Sequence, residues 1–287
     1  MNKPNDNAVM DTPFDAIAAE STTGTYPVLK WDEDHLEEIN DCVAEEVPVA
    51  MVYNGISHAV MLATPQDLND FALGFSLSEG ILSSAKELYD IEVVHQPKGI
   101  ELHLNIATER FHLLKERRRS MSGRTGCGLC GAESLDQAMR IPSNVINIAD
   151  RVQSRAIYLA HHQIRSAQKL QALTGATHAC AWMKPDGTIA TIREDIGRHN
   201  ALDKLIGATV SQRNKQAGFV LTTSRASYEM VQKVASAGIS ILVAVSAPTG
   251  LAIRIAQSCG VTLVGFARNH QHVVYSCPER ILHKGIS

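Results

Sequence analysis

FVLTTSRASYEMVQKVASAGISILVAVSAPTGLAIRIAQSCGVTLVGF, residues 219–266, alternates short apolar runs with amphipathic ones. Four to seven consecutive apolar residues bounded by turn signals suit buried strands, and longer runs with apolar residues every three or four positions suit helices. The stretch predicts a strand at 219–223, a helix at 227–237, a strand at 239–245, a helix at 249–259 and a strand at 261–266. Gly238 and Gly260 stand where left-handed helix caps are needed.

Working outward, Ile157, Ala160, Ile164, Ala167 and Leu170 fall on one helical face, and Gly175 can end that helix. Residues 176–183 and 188–193 read as strands joined by the turn Lys184-Pro185-Asp186-Gly187. A helix at about 198–206 is closed by Gly207. Strands alternating with helices imply parallel strands and right-handed crossovers. The order α-β-β-α-β-α-β-α-β predicts an α/β chain (α+β overall), with a cytidine-deaminase-like three-layer α/β/α domain over 151–287.

The first half predicts a smaller mixed α/β domain at 26–113. Val47 to Leu62 is apolar around Tyr53-Asn54-Gly55, as in two strands joined by an Asn-Gly turn. Thr64-Pro65 reads as an N-cap followed by the first helical residue. Leu68, Phe71, Ala72 and Phe75 line one face, and Gly80 closes the helix. Residues 90–113 alternate apolar and polar, as further strands do. Residues 32–46 hold eight acids and no Lys or Arg, which reads as a solvated face. Residues 1–25 read as a disordered tail. Residues 114–150 read as a flexible basic loop and linker, with Lys115, Arg117, Arg118, Arg119 and Arg124 among closely spaced glycines.

Composition narrows the function. With 287 residues, 45% of them hydrophobic, the chain can bury one large core or two modest ones. A net charge of −3 gives no global basic field for nucleic acid, and no apolar run is long enough to span a membrane. The N-terminus lacks the apolar core of a signal peptide, so a cytoplasmic location is expected. Thiols there stay reduced. Of the six cysteines, Cys42, Cys180, Cys259 and Cys277 are scattered and read as small buried hydrophobes.

Only Cys127 and Cys130 form a pair, in Gly126-Cys127-Gly128-Leu129-Cys130-Gly131. The thiolate is the nucleophile, and upstream arginines favour it. Flanking glycines leave the sulfurs accessible, and a second thiol can resolve a persulfide or mixed disulfide. Half of a zinc site is the alternative, but zinc needs four ligands and no second CxxC or HxxxH follows. Four other segments follow predicted strands: 194–204 with Arg198, His199 and Lys204, then 222–229 with Arg225, 246–249, and Phe266-Ala267-Arg268-Asn269-His270-Gln271. Ligands of open α/β sheets bind beyond the carboxyl ends of strands, so His199, Arg225 and Arg268 are expected to converge on one ligand. Each segment alone is also explained by helix capping, and Asp203 with Lys204 by a surface ion pair.

TGCGLCG, EDIGRHNALDKLIG, SRASYEMVQK, SAPTGLAIRIAQSCGVTLVGFAR and VPVAMVYNGISHAVMLATPQDLNDFALGFSLSEGIL together resemble the formate dehydrogenase accessory protein family FdhD/NarQ, over about residues 45–280. The resemblance implies a deaminase-like fold and a sulfur carrier. Such a carrier takes persulfide sulfur from a cysteine desulfurase (IscS-like) and passes it to the bis-molybdopterin guanine dinucleotide molybdenum cofactor (Mo-bisMGD) before insertion into formate dehydrogenase. By position, Cys127 would bear the persulfide and Cys130 would assist. Phe266 to Gln271, with His199 and Arg225, would bind the cofactor as client, with GDP as a fragment mimic and no permanently bound cofactor. A homodimer is expected. Ser224 stands where the family often has a glycine before the arginine, which leaves the conformation of that loop open.

The same fold raises zinc-dependent deamination as an alternative, which needs H-x-E before P-C-x-x-C. Here the CxxC precedes the core, and Thr177-His178-Ala179-Cys180 places a cysteine where the glutamate is required. A non-catalytic chaperone for the molybdenum cofactor is the remaining alternative, and persulfide labelling separates it from a carrier.

Overall fold

A computed structural model describes residues 21–121, 150–213, 216–268 and 270–283. The N-terminal part holds a hairpin of β1 (Thr23–Asp32) and β2 (His35–Ala44) and a four-stranded sheet. That sheet comprises β3 (Val47–Tyr53), β4 (Ile56–Ala63), β5 (Leu88–Gln96) and β6 (Gly99–Ile106), in the order β4-β3-β6-β5. Helix α1 (Leu68–Ser78) covers it through Phe71, Ala72 and Phe75, which pack against Val49, Met51 and Leu102. The turn between β3 and β4 is the expected one, with Asn54 and Gly55 both at positive φ.

The C-terminal part is built on a six-stranded sheet. Its strands are β8 (His178–Met183), β9 (Ile189–Asp195), β10 (Phe219–Thr222), β11 (Ile241–Ala244), β12 (Thr262–Arg268) and β13 (Gln271–Ser276). The order is β13-β12-β11-β10-β8-β9. β10, β11 and β12 pair in parallel, whereas β8 and β13 run against their neighbours. β9, antiparallel to β8, therefore points the same way as the parallel core. A two-residue strand β7 (Val152–Gln153) pairs with β14 (Ile281–Leu282) beside it.

Helices cover both faces, as the three-layer α/β/α arrangement requires. On one face α3 (Ser154–Ala167) packs Ile157, Ala160 and Ile164 on Ala179, Ala181, Leu221 and Val243. On the other, α5 (Arg198–Arg213), α6 (Tyr228–Ser236) and α7 (Gly250–Cys259) bury Leu202, Leu205, Met230, Val234, Ile255 and Ala256 against Cys180, Trp182, Val220 and Leu242. Burying one such aliphatic side chain stabilises by about 1.5–3 kcal/mol.

Several expectations are corrected. The boundary at residue 25 falls inside β1, so residues 23–25 open a hairpin, while residues 1–20 of the expected tail lie outside the described residues. The acidic stretch 32–46 is largely exposed, as a solvated face should be, and mostly forms the hairpin's second strand. Helix α2 (Thr108–Met121) crosses the boundary at 113/114, so the basic segment begins on a helix. Residues 122–149 lie outside the described residues. The helix expected over 157–170 is two, since Gln168 leaves the helical region before α4 (Lys169–Thr174). Thr64 caps no helix, because α1 starts four residues later behind Asp67, at φ 54°.

Gly207 does not end α5, which continues to Arg213. It sits instead where α5 crosses α1. A Cβ on Gly207 would run into the backbone carbonyl of Asp70, and a Cβ on Gly74 into that of Asp203. Two glycines facing each other's helix backbone set the spacing of the two halves. Gly207→Ala should therefore destabilise by about 1–3 kcal/mol through overpacking, although alanine favours a helix interior by about 1 kcal/mol. Urea unfolding of the two proteins checks this, and a stabilised variant would refute it.

Candidate functional site

β9, β10, β11 and β12 end at one edge of the sheet, and the four segments singled out in the sequence follow them there. The segment Glu194 to Lys204 is mostly structural. Lys204 is fully buried; its Nζ lies 2.7 Å from Asp195 Oδ2 and donates to the Thr64 carbonyl at 2.8 Å. Thr64 N–H donates back to Asp195 Oδ2 at 3.1 Å, and Ile196 N–H donates to Thr64 Oγ1 at 3.2 Å. Asn200 Nδ2 donates to the Leu62 carbonyl at 2.7 Å and to Asp195 Oδ1 at 3.1 Å. Glu194 accepts the N–H groups of Leu170 and Gln171, at 3.0 and 2.9 Å, at the start of α4.

Asp203 is also buried. It accepts from Lys233 Nζ at 2.9 Å and from Ser78 Oγ at 2.6 Å, while Lys233 reaches Glu79 at 2.7 Å. Burial pulls the Lys233 ammonium down, but Asp203 and Glu79 outweigh it and hold the ammonium above its ordinary value. The expected surface pair of Asp203 and Lys204 is thus two separate buried clamps between the N-terminal and C-terminal parts. Ile196, Gly197, Arg198 and His199 are the partly exposed residues of this segment, and of these Arg198 and His199 carry polar side chains.

His199 Nε2 lies 3.4 Å from Ser227 Oγ and 3.7 Å from Glu229 Oε2, at the start of α6. Burial, and then the neighbouring Arg198, push its imidazole down to about 4. It is therefore neutral near pH 7 and can exchange a hydrogen bond rather than supply charge. His178, at the start of β8, is lowered by burial and then by the same Arg198. Arg225 is exposed.

A second group of side chains surrounds a cavity of about 300 Å³ on the α3 face of the same edge. It is lined by His161, Ile164, Arg165, Gln168, Thr223, Val245 and Arg268. The Arg268 guanidinium stands 5.8 Å from the centre of the Phe266 ring, which is half-buried. Phe266 has φ 52°, inside a bulge of β12, and its N–H donates to the Ser246 carbonyl at 3.1 Å. Such bulges re-aim side chains at sheet ends. Ala267 is buried in the core, Gln271 opens β13 opposite Arg268, and His270 turns between them at φ 58°.

Arg268, with the Phe266 ring beside it, is thus brought together with residues of α3. His199 lies on the opposite face of the sheet, among α5 and α6, and does not line this cavity. The expected convergence of His199, Arg225 and Arg268 on one pocket is therefore not what the fold builds, because successive edge segments serve different faces. Asn269, Cys127 and Cys130 lie outside the described residues. His161 and Arg165 were missed by sequence reasoning. Their signal was a His and an Arg four residues apart, flanking the apolar face of α3.

Of the four scattered cysteines, only Cys180 is buried as expected. Cys180 is fully buried, and burial pushes its thiol up to about 12, so it is no nucleophile at neutral pH. Cys42, Cys259 and Cys277 are half-buried free thiols. Among the described residues no helix is long and apolar enough to cross a membrane.

A three-layer α/β/α arrangement with a cationic cavity at the carboxyl edge of its sheet defines an α/β protein whose cavity opens where ligands of open α/β sheets bind. The model of the FdhD/NarQ family matches residues 44–282, and the chain belongs to that family. A protein of Cupriavidus necator named sulfur carrier protein FdhD is 55% identical over 268 residues, covering 93% of each chain. One of Bordetella petrii with the same name is 53% identical over 84% of this chain and 87% of its own. The solved structure of a candidate formate dehydrogenase accessory protein from Desulfotalea psychrophila superposes with a TM-score of 0.70. It covers 91% of this chain and 100% of that one at 24% identity, and bears on the fold alone.

Proposed function

We propose that the protein is a sulfur carrier that serves formate dehydrogenase. The Cys127 thiolate attacks the outer sulfur of a persulfide on a cysteine desulfurase (IscS-like). The sulfur–sulfur bond of the donor breaks, the desulfurase thiolate leaves, and the sulfur remains on Cys127 as a new persulfide. Cys130, three residues on, assists the onward transfer: its thiolate attacks the inner sulfur of that persulfide, a Cys127–Cys130 disulfide forms, and the outer sulfur leaves as hydrosulfide toward the molybdenum of the Mo-bisMGD client. The relatives' shared name at more than half identity supports the sulfur chemistry.

The observation that carries the ligand side is the cavity at the carboxyl edge, where Arg268 and Arg165 meet Thr223. Guanidinium forks suit the pyrophosphates and guanines of this cargo, and Phe266 offers a ring beside them. The fit is chemical: two permanent cations and a hydroxyl face one opening. The client is bound and released, not held as a resident group. A homodimer belongs to this reading, since Leu29, Trp31 and Leu36 lie exposed on the β1–β2 hairpin and offer an apolar face for a second copy.

Arg268→Ala should weaken GDP binding by about 1–3 kcal/mol, the loss expected for charge-assisted hydrogen bonds. Cys127→Ser should leave GDP affinity nearly unchanged, because the thiol acts at the metal end of the cargo. Calorimetry on both variants checks this. GDP affinity lost with Cys127 and kept without Arg268 would reverse the assignment.

A further inference from the structure

His161 stands in the wall of the Arg268 cavity, four residues before Arg165 on α3. It opens a row of imidazoles along the surface. The His161 and His162 ring centres are 6.0 Å apart, as are those of His162 and His270. Tyr158 lies 5.8 Å from His270 and 5.5 Å from His272, and His272 stacks on His283 at 5.5 Å. The charged or titratable groups acting on His161 are Arg165 and His162 from its own helix and Arg268 from β12. Gln168 and Thr223, which complete the polar wall, are neutral. Among the described residues no carboxylate forms an ion pair with these histidines.

In the free cavity, burial and then Arg165, with His162 and Arg268 behind it, hold the His161 imidazole below its ordinary value. Protonation there adds a third positive charge to a site that already has two. A ligand carrying two or more negative charges reverses that balance, because the same proton then meets an anion instead of two uncompensated guanidiniums.

We propose that His161 is a proton-coupled third cationic group of a phosphate site shared with Arg165 and Arg268, so that a phosphate-bearing ligand is held more tightly as the pH falls. This rests on the proposed reading of Arg268 as a nucleotide contact and adds its regulation. The sign follows from linkage. His161 is depressed in the free protein and raised in the complex, so between those two values the complex holds more proton than the free protein. Affinity therefore rises as pH falls through that window, by at most about tenfold per pH unit for one proton, and levels off once free His161 is itself protonated. Arg165 and Arg268 stay charged throughout and supply the part of the affinity that does not vary.

Calorimetric titration of the full chain with GDP and with inorganic pyrophosphate, between about pH 8 and about pH 5.5, tests the coupling. Wild type, His161→Gln and Arg268→Ala are compared. The phosphate's own titration is common to all three and cancels in ratios of dissociation constants. The ratio of wild-type to His161→Gln affinity should rise about three- to tenfold from the alkaline to the acid end. Arg268→Ala should bind weakly at every pH. In wild type, the His161 ring resonance should titrate at higher pH when pyrophosphate is present, a readout that needs no variant. A flat ratio, or a ring that titrates identically with and without pyrophosphate, overturns the proposal while leaving GDP binding by Arg268 standing. Failure of both probes to bind at any pH overturns the proposal and the nucleotide reading together.

Discussion

Replacing Cys127 by serine is expected to remove formate dehydrogenase activation almost completely, by about two orders of magnitude or more, since an alkoxide is not available at neutral pH to accept a sulfane sulfur. The protein should remain folded, with an unchanged urea midpoint. Cys130→Ser should cost less, because the resolving thiol acts after loading. Cys42→Ser, which alters a thiol on the β1–β2 hairpin, is the control and should keep full activity. The measurement is formate dehydrogenase activity in cells whose only source of this protein is the variant. Full activity with Cys127→Ser would end the persulfide mechanism.

The largest effect on stability is expected at Lys204. Its ammonium is fully enclosed and is shared between Asp195 and the Thr64 carbonyl. Lys204→Ala leaves a buried carboxylate without its counter-charge and a carbonyl without its donor, a change that costs about 3–5 kcal/mol. Because Thr64 belongs to the N-terminal part and Asp195 to the C-terminal sheet, the loss should loosen the joint between them as well as lower the unfolding midpoint. Denaturant unfolding followed by Trp182 fluorescence reads both. A variant within about 1 kcal/mol of wild type would mean that the clamp is as weak as a surface ion pair.

The elements that depend on local sequence were legible. The period of the apolar residues in 219–266, the Asn54-Gly55 turn and the glycines after α6 and α7 placed strands, helices and their ends close to where they are. What could not be read depends on distant partners. Lys204 and Asp203 look like surface charges until α1 and β9 surround them. Gly207 looks like a helix stop until the Asp70 carbonyl is seen to occupy its missing side chain's place. The acidic stretch 32–46 buries little because its strand belongs to an exposed hairpin, so its charged composition hid the strand.

The candidate site divides in the same way. Strand ends marked the edge where β9 to β12 all finish and where the Arg268 cavity opens. They could not reveal that successive edge segments serve opposite faces, which separates His199 from Arg268. Nor could they reveal that α3, far upstream, contributes His161 and Arg165 to the cavity. Helix-to-sheet packing decides both, and one helical face holds no sign of which strand end its flank will meet.

Persulfide formation on Cys127 is the central claim. Its most direct test is intact-protein mass spectrometry after incubation with a cysteine desulfurase and cysteine. Wild type should gain the mass of one sulfur, removable by a thiol reductant and located on the peptide containing Cys127, and Cys127→Ser should gain none. An unmodified wild-type protein, or an adduct of equal yield on Cys127→Ser, would contradict it.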